Sequence, residues 1–162
     1  MDVCVLASGS RGNCVYVAGG GTAVLVDAGL SARELVGRLE AAGIAPASIQ
    51  AVLFTHDHSD HCKGIDVFSR RFPVRLLANQ GTSEGIEQAC KGFAPEWEIF
   101  ETASSFEIGG LRVEAFSVSH DAADPVGFVF DDGAARLCLA TDLGQGSPVV
   151  RAKLAQCHAA II

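Results

Sequence analysis

The stretch Thr55-His56-Asp57-His58-Ser59-Asp60-His61 places three histidines and two aspartates in seven residues, directly after the apolar run 51–54. A single histidine beside a strand is usually a satisfied core or surface residue. This many unpaired polar groups have no packing role, because burying each of them would cost several kcal/mol. Imidazole and carboxylate are ligands for zinc, manganese and iron. The loop therefore predicts a metal site.

The spacing of the histidines indicates how they would face the metal. A helix cannot aim His56 and His58 at one point, because residues two apart do not share a helical face. A turn that leaves a strand can do so. If His61 begins the following helix, Asp60 and His61 point to a second side of the same pocket. This division predicts two metal ions rather than one.

Three further candidates follow predicted strands. His120 comes after residues 111–118 and Asp142 after residues 135–140, and α/β sites gather their ligands at such strand ends. Asp142 can bridge two cations through its two oxygens, although an aspartate before a glycine-containing turn is also a common turn cap. Asp27 ends another strand, and we expect it to orient the histidine loop rather than to bind metal itself.

Composition limits the fold and the class of protein. The chain has 162 residues, of which 49% are hydrophobic, so a disordered tail or a coiled coil is excluded and a single domain over residues 1–162 is expected. Its net charge of −7 argues against a polycation that binds nucleic acid by charge alone. Scattered cysteines and the absence of a signal-like or membrane-length apolar run predict a reduced, cytoplasmic protein without membrane contact.

The apolar pattern predicts an α+β fold of two sheets covered by helices. A glycine turn at residues 19–21 joins two early strands, and Ser31 with Glu34 forms a capping box for a helix that ends at Gly43. Strands are predicted at residues 3–6, 14–18, 23–26, 51–54, 74–78, 106–108, 111–118, 126–130 and 135–140, and helices at 31–42, 62–70, 82–91 and 151–156. Residues 159–162 look like the first half of a buried strand. Such an ending predicts a chain that is cut short at its C-terminus, with a short edge strand as the alternative.

The motifs resemble the metallo-β-lactamase superfamily and, within it, the YycJ/WalJ branch, whose members resemble DNA exonucleases. The resemblance covers essentially the whole chain. It is carried by these segments: residues 6–14 (LASGSRGNC), 26–31 (VDAGLS), 55–64 (THDHSDHCKG), 119–121 (SHD), 125–127 (PVG) and 141–144 (TDLG).

The resemblance implies a four-layer αββα sandwich with the site at one edge of the two sheets. It assigns His56, His58 and His120 to the first metal and Asp60 and His61 to the second, and Asp142 would bridge the two metals. Members of the family continue for about another hundred residues, including a late histidine that completes the second metal site. Nothing here matches that segment, and His158 precedes a strand in the wrong place to replace it.

These assignments predict a hydrolase with two divalent ions that cleaves phosphodiester bonds of DNA through a metal-bridging hydroxide. The ions would be zinc or manganese, with iron as a further candidate. Asp60 would orient the hydroxide, and Lys63 or His120 with Asp121 would assist the leaving group. A hydrolase of a thioester, lactone or β-lactam is the alternative, and a non-catalytic metal-binding remnant is the third hypothesis. The sequence leaves the oligomeric state open.

Two other segments have both a functional and a plain interpretation. The loop at residues 8–13 can present backbone N–H groups to a phosphate, or it is an ordinary turn between strands. Arg70, Arg71 and Arg75 form a small basic cluster along the sequence, which either tracks a nucleic-acid strand or is a solvated face.

Overall fold

The computed structural model describes residues 1–162 and contains two sheets and five α-helices. The strands are β1 Asp2–Ala7, β2 Cys14–Gly19, β3 Thr22–Val26, β4 Ala51–Leu53, β5 Arg75–Ala78, β6 Trp97–Ile99, β7 Ser105–Ile108, β8 Leu111–Ser117, β9 Val126–Asp131, β10 Arg136–Leu139 and β11 Ala159–Ile161. The helices are α1 Ala32–Ala41, α2 Ser59–Cys62, α3 Ile65–Arg71, α4 Gln80–Ala89 and α5 Pro148–Leu154.

The first sheet holds strands β1 to β6 in sequence order. Strands β1, β2 and β3 pair antiparallel, whereas β3, β4, β5 and β6 run parallel. Gly20 and Gly21 alone connect β2 to β3, and their positive φ angles of 56° and 76° suit the two-residue turn that favours glycine. The predicted glycine turn is therefore confirmed.

The second sheet has the order β11-β10-β9-β8-β7. All its pairs are antiparallel except β10 with β11, which run parallel. The sequence indicated a buried strand at β11, but Ala159 and Ala160 are exposed at the edge of this sheet. Strand β11 is therefore present as predicted, but its side chains are less buried than its apolar sequence suggested.

Three apolar clusters separate four layers. Side chains of β3 alternate, so that Ala23 and Leu25 pack toward the helices while Val24 and Val26 face the second sheet. A third cluster packs the outer face of the second sheet against Val150 of α5. The layers are helix, sheet, sheet and helix, as predicted for an αββα sandwich.

Helix α1 begins and ends as the sequence predicted. Ser31 and Glu34 form the capping box, and the N–H groups of Gly43 and Ile44 bond to the carbonyls of Glu40 and Leu39. This pair of bonds is the glycine-dependent stop known as the Schellman motif.

The single helix predicted at residues 62–70 was wrong. The chain breaks at Gly64 into α2 and α3, because the Gly64 N–H donates to the Ala28 carbonyl at 2.9 Å. A Cβ atom at Gly64 would lie 2.0 Å from the Leu30 carbonyl oxygen. Strand β6 was not predicted. None of the helices combines the length and the hydropathy that crossing a bilayer requires.

Candidate metal centre

The predicted ligands meet at one edge of the two sheets. His56 and His58 lie in the loop between β4 and α2, whereas His120 follows β8 and Asp142 follows β10. Ligands from both sheets therefore converge, although more than 80 residues separate His56 from Asp142 along the chain. Parallel strand directions explain this, because β3, β4 and β5 all end at the same edge of the first sheet.

One group of donors contains His56, His58 and His120. Their ligand atoms lie within 4.8 Å of one another. The Nδ1 atom of His58 is 3.1 Å from Nε2 of His120. Three nitrogen donors so placed match the ligand types and number of a catalytic zinc site.

A second group contains His56, His61 and Asp142, again within 4.8 Å. The Nε2 atom of His61 is 3.1 Å from Oδ2 of Asp142 and 3.7 Å from Oδ2 of Asp60. Asp60 thus borders this group without belonging to either one. The residue that the two groups share is His56, whereas the sequence assigned the bridging position to Asp142.

His56 carries an unpartnered lone pair. Burial is the main cause that lowers the pKa of His56 to about 4, and the nearby charge of His61 lowers it further. The ring is therefore neutral at pH 7. Its Nδ1 atom lies 2.9 Å from the Thr55 hydroxyl, which in turn donates to the Asp27 carboxylate. The Nδ1 atom therefore carries the proton, and the buried Nε2 atom has no hydrogen-bond partner. A cation is the partner that fits such a nitrogen.

Asp27 holds the opposite side of the histidine loop. Its buried carboxylate accepts hydrogen bonds from the Thr55 N–H at 2.9 Å and from His61 Nδ1 at 2.8 Å. Burial disfavours the charged form of His61, but the carboxylates of Asp27, Asp142 and Asp60 together outweigh it and raise the pKa of the imidazole. With its Nδ1 proton donated to Asp27, His61 turns Nε2 toward the second group. This is the arrangement by which carboxylates orient metal-binding histidines.

The sequence interpretation missed Asn13 as part of this centre. Its Nδ2 atom lies 2.9 Å from Nε2 of His61 and 3.1 Å from Oδ2 of Asp60, while its Oδ1 atom accepts the Gly9 N–H at 2.9 Å. The available signal was an asparagine that closes a glycine-rich turn, where its side chain commonly bonds to local backbone.

Close backbone contacts fix the loops that carry these side chains. A Cβ atom at Gly29 would lie 1.5 Å from the Asp60 carbonyl oxygen, so only glycine lets the segment after β3 approach α2. The Gly144 N–H donates to the Ser119 carbonyl at 2.7 Å, which joins the loop of Asp142 to the loop of His120. Asp27 and Asp142 both have positive φ angles, of 63° and 55°. Such strained backbone collects at functional sites.

The remaining candidates lie around the edge of the centre or away from it. His120 Nδ1 is 3.2 Å from the Asp121 carboxylate, and Lys63 donates to the Arg11 carbonyl. His158 accepts the Arg136 N–H and belongs to neither donor group. The basic cluster is divided among partners: Arg70 pairs with Asp66, Arg75 pairs with Glu98, and Arg71 lies over the Phe72 ring.

A two-sheet sandwich with a histidine-rich centre at one edge defines the metallo-β-lactamase fold. Residues 22–162 match the model of the β-lactamase superfamily domain, and the chain belongs to this family. It is 37% identical over 141 residues to the exodeoxyribonuclease YycJ of Bacillus anthracis and 36% identical over 143 residues to the exodeoxyribonuclease WalJ of Streptococcus pneumoniae. Each match covers 86% of this chain and 53% of the relative, so the chain spans about half the length of these relatives.

Solved structures agree on the fold. The Zn²⁺-bound PqqB of Methylobacterium extorquens matches with a TM-score of 0.75 at 20% identity, over 91% of this chain and 58% of its own. A metallo-β-lactamase mutant of Cronobacter sakazakii matches with a TM-score of 0.73 at 18% identity, over 94% and 69%. Identities this low support the shared architecture alone.

Proposed function

We propose that this chain is the metal-binding part of a hydrolase that cleaves phosphodiester bonds in DNA. The observation that carries the proposal is the pair of donor groups joined at His56, whose buried Nε2 atom has no other partner. The ring centroids of His56, His58 and His120 lie within 5 Å of one another, and Nδ1 of His58 lies 3.1 Å from Nε2 of His120. A cation held by all three imidazoles would account for this grouping.

The residues fit two divalent cations, zinc or manganese, with iron as a further candidate. His56, His58 and His120 would hold the first, and Asp60 and His61 the second. Asp142 lies in the group of His56 and His61, and its two carboxylate oxygens would let it serve as a ligand of both cations. When bound, two such ions activate water and stabilise the negative charge that develops in phosphodiester hydrolysis.

The protein groups around the centre have distinct roles in this proposal. Asp60 offers a carboxylate that accepts the proton of an attacking water, and Asn13 holds that carboxylate in place at 3.1 Å. His120 would hold a cation through Nε2, and the Asp121 carboxylate, 3.2 Å from its Nδ1 atom, would orient the imidazole. Asp27 keeps His61 in the tautomer whose Nε2 atom faces the centre.

DNA is proposed as the substrate partner because the two relatives with the highest identity quoted above are named exodeoxyribonucleases. A ribonuclease Z of a Mycobacterium species is more distant, at 27% identity over 177 residues. Four positive charges from two bound cations would let a protein of net charge −7 receive an anionic strand at this edge.

The test compares His58→Ala with His158→Ala. His158 is the matched control because it lies outside both donor groups. Cleavage of 5′-labelled single- and double-stranded DNA and RNA is measured with manganese, zinc or iron(II). In parallel, each metal is added to chelator-treated protein while the melting temperature is recorded, because a ligand of the folded state raises it.

We expect DNA cleavage and a metal-dependent rise in melting temperature for the wild type and for His158→Ala, and the loss of cleavage with a smaller rise for His58→Ala. Normal cleavage by His58→Ala would remove the proposed role of that residue. Metal-dependent stabilisation without cleavage of any nucleic acid would contradict the substrate while leaving the metal centre in place.

A further inference from the structure

A cleft of about 490 Å³ lies between the loop that connects β1 to β2 and the start of α1. We call it the Arg11 cleft; it is lined by residues 7–12, Leu30, Glu34 and Arg38. Strand β1 is parallel to β3, because both pair antiparallel with β2. The loop after β1 therefore lies at the same edge of the first sheet as Asp27 and the histidine loop.

The free polar groups of the Arg11 cleft are mostly hydrogen-bond donors. The Arg11 guanidinium has neither an ion-pair nor a hydrogen-bond partner, and the backbone N–H groups of Ser10 and Arg11 donate to no protein acceptor. Arg38 uses Nη1 to donate to the Leu6 carbonyl at 2.6 Å, which leaves its other N–H groups available. An anion with several oxygens can accept from several of these donors at once.

The local charge is positive although the protein is acidic. Glu34 is the only carboxylate that lines the cleft, and it is engaged by Ser31, whose hydroxyl donates to it at 2.6 Å. Against this one negative charge stand the guanidinium groups of Arg11 and Arg38, which also line the cleft. The excess of positive charge favours a phosphate ligand over a neutral one.

Asn13 couples the cleft to the metal centre. It closes the loop through hydrogen bonds with both the N–H and the carbonyl of Gly9, and the same side chain contacts His61 and Asp60. The backbone N–H of Asn13 also donates to the Asp60 carbonyl at 2.8 Å. A group bound in the cleft is thereby held at a fixed position relative to the candidate ligands.

From these observations we infer that the Arg11 cleft binds a phosphate group of the substrate strand other than the one that is cleaved. The inference rests on the proposed function, because the strand must reach the metal centre for the subsite to serve catalysis. The subsite contributes to binding and to placement of the strand, and the bond-breaking chemistry remains at the metal centre.

The binding test uses chelator-treated protein, so that the metal centre does not contribute. Arg11→Gln is compared with Arg33→Gln, which removes the same charge from an exposed position of α1 outside the cleft. Inorganic phosphate is titrated while the amide resonances of Ser10 and Arg11, or of the residue substituted at 11, are followed by NMR. We expect saturable shifts in the wild type and in Arg33→Gln, and shifts at least about tenfold weaker in apparent affinity in Arg11→Gln.

The activity test uses the metal-loaded protein and oligonucleotides with and without a 5′-phosphate. Arg11→Gln is expected to raise KM about tenfold with kcat unchanged, and to reduce the slope of log affinity against log salt by about one unit. An effect on both oligonucleotides identifies an internal phosphodiester as the ligand, and an effect confined to the phosphorylated one identifies a terminal phosphate.

The two proposals fail in different ways. If the wild type cleaves DNA but Arg11→Gln and Arg33→Gln behave alike in both tests, the phosphate subsite is overturned and the proposed function stands. If phosphate binds through Arg11 but no nucleic acid is cleaved, the binding site stands and its role for a substrate strand is overturned together with the proposed function.

Discussion

A single buried carboxylate organises the histidine loop at the scale of individual residues. Asp27 accepts from the N–H and the hydroxyl of Thr55 and from Nδ1 of His61. The Thr55 hydroxyl passes this orientation on to His56, because it can donate only one proton and donates it to Asp27. Asp27 therefore sets which nitrogen faces the centre in two of the candidate ligands.

Replacing Asp27 with asparagine should weaken metal binding by about 10- to 100-fold. The single acceptor oxygen of asparagine cannot serve the Thr55 N–H, the Thr55 hydroxyl and His61 Nδ1 together. Its NH₂ group is a donor and cannot accept the proton of any of them. The measurement is competition for Zn²⁺ against a chromophoric chelator, with circular dichroism to verify folding. Asp66→Asn, which alters a half-buried carboxylate paired with Arg70 outside both donor groups, is the matched control and should keep wild-type affinity. Equal affinities in the two variants would contradict the orienting role of Asp27.

The sequence predicted the histidines and aspartates of the centre better than their neighbours. His56, His58 and His61 are recognisable because their residue types and close spacing have few other uses. The contacts of Asn13 with His61 and Asp60 depend on how the loop after β1 packs against α2, 47 or more residues away. A local pattern contains no information about that approach.

Regular elements were predictable where apolar residues form continuous or alternating runs. Strands β3 and β8 and the capped start of α1 are of this kind. Strand β6 has only three residues, one of them charged, and lies at the sheet edge, so its pattern is too short to recognise. The break at Gly64 is imposed by the Ala28 and Leu30 carbonyls, which are distant in sequence.

Two glycines should respond oppositely to alanine because of the elements around them. Gly29→Ala places a Cβ atom 1.5 Å from the Asp60 carbonyl oxygen, so the segment after β3 must separate from α2. We expect it to lower the free energy of unfolding by about 2–4 kcal/mol. Gly37→Ala lies in the exposed interior of α1 with open space around it, and should raise that free energy by about 0.5–1 kcal/mol.

Urea denaturation of both glycine variants provides the measurement, with a metal titration on each folded protein. Because Asp60 and His61 lie in α2, Gly29→Ala should also weaken metal binding, whereas Gly37→Ala should leave it unchanged. A Gly29→Ala protein as stable as the wild type would show that the two segments do not approach as described.

Across the whole molecule, the two sheets are joined at both of their edges. At the edge of the metal centre, the Val126 N–H donates to the Thr55 carbonyl at 2.9 Å. At the other edge, the Gly110 N–H donates to the Thr22 hydroxyl, and the amino group of Met1 lies 3.0 Å from the Asp132 carboxylate. Met1 precedes β1 and Asp132 follows β9, so this ion pair joins the first sheet to the second.

The ion pair at the far edge makes stability depend on pH in a defined way. Hydrogen bonds from the Ala135 N–H, the Met1 amino group and the Ala134 N–H lower the pKa of Asp132 from 3.8 to about 2. The hydrogen bond to Asp132 also raises the pKa of the Met1 amino group above 8.0. Both groups are charged in the folded and the unfolded protein between about pH 4 and pH 8, and the pair contributes fully in that window.

Asp132→Asn should therefore lower the melting temperature most between about pH 4 and pH 8, in protein that keeps a free Met1 amino group. Asparagine still accepts from the Ala134 and Ala135 N–H groups, so the difference from wild type reports mainly the ion pair. As pH falls from 3.8 toward 2, the Asp132 carboxyl is protonated in the unfolded protein but still charged in the folded protein. The difference in melting temperature between wild type and Asp132→Asn therefore shrinks. It shrinks again as pH rises through the raised pKa of the amino group, because the unfolded amine is by then neutral. Melting curves of both proteins across this range test the sign, and a difference that is constant at every pH would assign the contribution of Asp132 to its turn instead of to the join between the sheets.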